Sequence, residues 1–173
     1  MNETIAISRS ASGLSSNGTA RLLALLVPVG LLGGALFSQY VGGLWPCEMC
    51  WWQRYPHAAA IVIAGLAFAF AADSPPARIL TALAAVAIAI SGGIGVYHAG
   101  VEAHVFKGLT ACAATGAGGS AANVLEQIMK VPLIQCDQVQ WRFVGLSLAA
   151  WNAIISLSGG SAIALMLYRK RTT

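Results

Sequence analysis

Cys47-Glu48-Met49-Cys50 places two thiols three residues apart, and Arg54 follows four residues after the second. A Cys-x-x-Cys spacing can close a small disulfide ring, and one thiol of such a pair often has a lowered pKa. Cys50 falls where a helix is predicted to begin, so a thiolate there faces the positive end of the helix dipole. Arg54 lies on the same helical face, one turn deeper. Its cation can stabilise a thiolate or polarise a carbonyl oxygen. An arginine just inside an apolar span is costly, which marks it as a functional candidate; snorkelling to the interface is the bland alternative. Two more thiols, Cys112 and Cys136, flank a Gly-rich stretch. Such a stretch beside a disulfide suits a pair that must change partners, because thiol exchange needs in-line access to a sulfur. The chemistry indicated is dithiol–disulfide exchange.

Two other uses of the thiols are weaker. Zinc sites built from two cysteine pairs show close spacing in both, and Cys112 to Cys136 is too wide for that. A c-type haem site needs His directly after the second Cys, and Trp51 stands there. No metal ligands are therefore assigned.

The elements that must hold these residues are apolar. Of 173 residues, 57% are hydrophobic and 9% charged, against about 25% charged in a soluble domain. Four blocks reach the roughly 20 residues that a bilayer requires: about Leu22–Val41, Trp51–Ala72, Ile79–Tyr97 and Phe143–Tyr168. The predicted fold class is an all-α membrane protein, a four-transmembrane-helix bundle over residues 21–171. Residues 1–20, rich in Ser, Asn, Thr and Gly, are expected to be disordered. The Asp73-Ser-Pro-Pro76 stretch ends the second block in a turn. In the long segment after the third block, Val124, Leu125, Ile128 and Met129 repeat at helical spacing. They predict a short amphipathic helix on the membrane surface or packed on the protein.

An even number of spans puts both termini on one side. That side carries Arg9, Arg21, Arg78, Arg169, Lys170 and Arg171; the other carries Arg54, Lys107, Lys130 and Arg142. Six basic residues against four make the terminal side cytoplasmic by the positive-inside rule. The net charge of +4 is thus a topology signal and not a nucleic-acid footprint. Both cysteine pairs then lie on the outer, oxidising side.

Tyr97-His98-Ala99-Gly100-Val101-Glu102 closes the third block. His98 is a candidate hydrogen-bond donor to a ligand at the membrane boundary, though a lone interfacial histidine is common. Glu102 is a candidate ion-pair partner for Arg54 or Lys107. His57 and His104 are less telling. Trp45, Trp141 and Tyr168 fit interfacial belts, whereas Trp51 and Trp52 flank the cysteines and can line an apolar slot.

Pro46-Cys47-x-x-Cys50-x-x-Gln53-Arg54, Tyr97-His-Ala-Gly-Val-Glu102, Cys136-Asp137 with Trp141, and Gly145-Leu-Ser147 together resemble the disulfide bond formation protein B (DsbB) family. The resemblance covers most of the chain from Arg21 to Arg171. It implies a quinone-linked thiol oxidase, a protein-disulfide-forming enzyme of the bacterial inner membrane. It further implies a soluble periplasmic partner of thioredoxin fold similar to DsbA, and ubiquinone or menaquinone as acceptor. The family's functional residues carry over to Cys47, Cys50, Cys112 and Cys136, with Arg54 and His98 at the quinone. By the same resemblance, the partner attacks Cys112, Cys136 exchanges with Cys47, and Cys50 delivers electrons to the quinone.

Two rivals stand beside this. Vitamin K epoxide reductase-like proteins carry their Cys-x-x-Cys near the last span, and here it follows the first. A non-catalytic scaffold or channel with two structural disulfides predicts four cysteines that stay oxidised whether or not quinone is present.

Overall fold

A computed structural model describes residues 16–108 and 135–169. Cys112, the helix expected at 123–130, most of the N-terminal stretch and the Lys170-Arg171 pair lie outside the described residues. The elements are α1 (Ser16–Tyr40), α2 (Glu48–Ala67), α3 (Pro75–Glu102), a hairpin of β1 (Arg142–Phe143) and β2 (Leu146–Ser147), and α4 (Leu148–Arg169). α1, α3 and α4 are long and apolar enough to cross a membrane, and the chain is a multi-pass membrane protein. α2 is not among those three; its 20 residues include Gln53, Arg54 and His57, all buried.

Helix ends follow local chemistry. α1 stops where Gly43 adopts φ +68° and reverses the chain. Cys47 then caps α2, its sulfur accepting from the Cys50 backbone N–H at 3.4 Å. Ser74 precedes α3 with prolines in the first turn, where a missing N–H costs nothing. The second block thus ends at Ala67 rather than Ala72, because residues 68–70 continue as tight turns. The fourth block also starts later than Phe143. Val144 and Gly145, at φ 51° and 79°, form the two-residue hairpin turn, and both central residues of such a turn need positive φ. Ser147 Oγ then accepts the Ala150 N–H at 3.2 Å, capping α4.

Each helix buries one stripe. In α2 it is Met49, Gln53, His57, Ala60 and Ala64; in α3 it is Thr81, Ala84, Ile88, Ser91, Gly95 and His98. These recur every three or four residues, as one helical face must. α3 sits between α2 and α4, and α1 leans on both of them. At one end of the bundle, Arg21 donates to the Ala67 and Phe70 carbonyls and Arg78 to that of Leu167. These cations satisfy the negative ends of α2 and α4. The cysteines lie at the other end.

Small residues set the α3–α4 distance. A Cβ on Gly95 would sit 3.0 Å from both the Ala149 oxygen and the Ala153 nitrogen, which are backbone atoms that cannot swing aside. Gly95→Ala is expected to push α4 outward and destabilise the bundle by about 1–3 kcal/mol, read as a lowered melting temperature in detergent. An unchanged melting temperature would mean the helices are not in such close contact.

Candidate thiol-exchange site

Cys47, Met49, Val101 and Cys136 form a small buried cluster at the cysteine end, with Cys50, Trp52 and Tyr97 packed against it. Cys47 and Cys50 come together because one caps α2 and the other closes its first turn. Their sulfurs are 3.0 Å apart, and both are free thiols. Cys136 arrives on the turn and loop leading to the hairpin. Gln140 Nε2 donates to the Trp45 carbonyl at 2.7 Å, which ties that segment to the loop before α2. The Cys47 and Cys136 sulfurs and a ring nitrogen of His98 lie within 4.8 Å of one another. Hydrogen bonds with Cys136 and Cys50, together with burial, push the Cys47 thiol well above the ordinary thiol range.

Of the six residues singled out from the sequence, the structure gathers Cys47, Cys50, Cys136 and His98 directly, with Arg54 one turn along α2. Arg54 is 8% exposed. It donates to Gln39 Oε1 and to the Ala35 carbonyl, the latter at 3.1 Å, and its guanidinium lies 4.9 Å from the Trp51 ring centroid. It interacts electrostatically with Cys50. α1 therefore supplies the acceptors that hold the cation at this depth, consistent with the rule that buried charge is paired or hydrogen-bonded. Trp51, 41% exposed, stacks on the exposed Tyr55. Trp52 faces inward to the cysteines. Glu102 does not pair with Arg54 or Lys107. Its Oε1 lies 3.8 Å from His98 Nε2, and Ser147 and Arg142 act on it electrostatically. The hairpin carries both of those residues to the end of α3, which spacing alone does not foretell.

His98 is 3% exposed. Its Nε2 lies 3.5 Å from Cys47 Sγ, and Gln53 Nε2 lies 2.7 Å from its Nδ1. Behind Gln53 is a set of polar residues that sequence reasoning passed over. Asn152 Nδ2 donates to Gln53 Oε1 at 2.7 Å, and His57 Nε2 lies 2.8 Å from Asn152 Oδ1. Ser91 and Ser156 complete the group. The available signal was the presence of Asn152, Ser91 and His57 inside apolar blocks, where polar side chains are expensive unless they find partners.

Two sulfurs and an imidazole are also a donor set for a soft metal. A metal-bound imidazole, however, donates its other ring N–H to an acceptor. Here that second nitrogen faces an amide N–H instead. The arrangement suits sulfur exchange better than metal binding. A groove of about 790 Å³ lined by Asp73, Arg78, Ala85, Gly160 and Tyr168 lies at the opposite end and includes none of these residues.

A family model described as "Disulfide bond formation protein DsbB" matches residues 17–166. Similar curated proteins include a disulfide bond formation protein B from Marinobacter nauticus, 32% identical over 140 residues that cover 76% of this chain and 80% of the relative. Another, from Hahella chejuensis, is 30% identical over 158 residues, covering 86% and 91%. A third, from Aromatoleum aromaticum, is 31% identical over 157 residues, covering 84% and 89%. No solved structure matches the chain.

Proposed function

This chain belongs to the disulfide bond formation protein DsbB family, and from that premise we propose that it is a membrane thiol:quinone oxidoreductase that reoxidises a periplasmic, DsbA-like dithiol oxidase. In this reading α2 also crosses the bilayer with its polar stripe turned inward, giving four spans. The basic end of the bundle and both termini face the cytoplasm, and the cysteine end faces the periplasm of a bacterial inner membrane. The observation that carries the reading is the meeting of Cys47 with both Cys50 and Cys136. One sulfur thus bridges a pair beside the membrane and a pair in the longer loop.

The exchange runs as follows. A thiolate of the reduced partner attacks Cys112 of a Cys112–Cys136 disulfide, and the electron pair leaves on Cys136. The Cys136 thiolate attacks Cys47, the Cys47–Cys50 bond breaks, and the pair leaves on Cys50. The partner's second thiolate attacks its own sulfur in the mixed disulfide, that bond to Cys112 breaks with the electron pair leaving on Cys112, and the oxidised partner departs. The Cys112 thiolate then attacks Cys136 and frees Cys47 to close again on Cys50. Cys50 is half-buried at the first turn of α2, where backbone N–H groups point outward and Arg54 adds a cation. It is the sulfur of the pair best placed to carry negative charge, since sulfur neighbours and burial raise the pKa of Cys47.

The quinone, when bound, accepts two electrons and two protons. The residues present fit it: Trp51 and Tyr55 offer an exposed aromatic face, and the Arg54 guanidinium sits over that face beside Cys50. Arg54 and Cys50 would hold the ring, and His98 acts from behind, on the sulfurs. Ubiquinone and menaquinone both meet this description. The chain in lipid, given quinone and a reduced thioredoxin-fold dithiol, is expected to yield one quinol per partner disulfide. Absence of partner oxidation with or without quinone, with all four cysteines staying oxidised, would favour the structural-disulfide scaffold.

A further inference from the structure

The orientation of two buried amides decides which nitrogen of His98 holds the proton. Gln53 Nε2 lies 3.2 Å from the Met49 carbonyl, and a carbonyl can only accept, so that end of the amide is NH₂. Asn152 Nδ2 lies 3.2 Å from the Ser91 carbonyl, which fixes the second amide in the same way. Asn152 therefore donates to Gln53 Oε1 at 2.7 Å, and Gln53 donates to His98 Nδ1 at 2.7 Å. Asn152 Oδ1 accepts from Ser156 Oγ at 3.0 Å, in agreement with this direction. A neutral imidazole whose Nδ1 accepts must carry its proton on Nε2. That nitrogen faces Cys47 Sγ at 3.5 Å, nearer than Glu102 Oε1 at 3.8 Å, with the Cys136 backbone acting on the same ring.

We propose that Gln53 and Asn152 are positioning residues that lock His98 in its Nε2–H form, so that the ring presents a donor to the sulfur of Cys47. The proposal rests on the reading of Cys47 as the exchange sulfur. When a thiolate attacks Cys136 of a Cys47–Cys136 disulfide, the new S–S bond forms on Cys136, the old one breaks, and the electron pair leaves on Cys47. The Nε2–H stabilises that leaving sulfur through a charge-assisted hydrogen bond. No net oxidation occurs in this step. With the other tautomer, a lone pair would face the departing thiolate and repel it. The lock spans three helices, because Gln53 is on α2, His98 on α3 and Asn152 on α4.

The test reads the tautomer directly. Nitrogen-15 spectra of histidine-labelled full-length protein in lipid, with the His98 signal identified by its loss in His98→Ala, are expected to show Nδ1 unprotonated and Nε2 protonated. Gln53→Ala is expected to give a mixture of tautomers. It should also slow opening of a pre-formed Cys47–Cys136 disulfide by glutathione in proportion to the Nε2–H fraction lost, about twofold for an even mixture. Asn152→Ala should shift both readouts the same way by less. An Nδ1–H tautomer in the wild-type protein overturns the proposal without reference to any variant, as does a Gln53→Ala protein with unchanged tautomer and unchanged opening rate. Neither readout needs quinone or partner. A chain with the assigned tautomer but no quinone-dependent oxidation would defeat the functional reading alone.

Discussion

Cys50→Ala abolishes quinol formation while the protein stays folded, and Cys47 then accumulates in a disulfide with Cys136. Both halves of this expectation come from the same geometry. Cys47 has two sulfur neighbours, one 3.0 Å away on Cys50 and one on Cys136 within 4.8 Å. Removing Cys50 leaves Cys136 as its near partner. The side chain lost is small and half-buried, so the destabilisation should stay within the ordinary range for a point substitution, about 1 kcal/mol. The rate effect is of another order, because the group that delivers electrons is gone. Losing a nucleophile of this kind lowers turnover on the order of 10³-fold or more. Quinol absorbance measures the first half and non-reducing electrophoresis after thiol alkylation the second. Turnover within tenfold of wild type would show that electrons leave the chain by another route.

Arg54→Ala raises the quinone concentration needed for half-maximal turnover by about 10- to 100-fold, the range for a charge-assisted hydrogen bond, and leaves the KM for the dithiol partner unchanged. The guanidinium lies over Trp51 and acts on Cys50, the thiol assigned to the quinone in the proposed scheme. Arg54→Lys restores part of the loss. It keeps the charge, yet one ammonium cannot reproduce the planar fork that bonds Gln39 and Ala35 together. Because the alanine variant strands those two acceptors, its melting temperature must be measured alongside. A variant that loses partner and quinone use equally would place Arg54 in the scaffold and not at the quinone.

What could be read from the chain divides by range. Cys47, Cys50 and Arg54 are three and four residues apart on one helix, so their association follows from helical periodicity. The blocks now seen as α1, α3 and α4 were visible in their apolar length, although α4 starts later, after the Val144-Gly145 turn and the Ser147 cap, α1 already begins at Ser16, within the stretch expected to be disordered, and α3 runs from Pro75 to Glu102. α2 reads less clearly, since Gln53, Arg54 and His57 dilute its apolar signal while serving its buried face. The meeting of Cys136 with Cys47 was not derivable from spacing, because it depends on how a loop is tied by Gln140 to the Trp45 carbonyl. The Gln53–Asn152 contact is likewise tertiary, joining residues 99 positions apart. Glu102 shows the same limit: its neighbours His98, Ser147 and Arg142 are assembled by the hairpin, and charge counting pointed to others.

The most direct measurement is disulfide mapping by mass spectrometry of the wild-type chain, acid-quenched during turnover with partner and then after excess quinone. A Cys47–Cys136 linkage should rise with reduced partner when quinone is scarce and give way to Cys47–Cys50 when quinone is added. If Cys47 is found bonded to Cys50 alone at every time point while the partner is being oxidised, Cys47 does not connect the two pairs and the electron path described here is wrong.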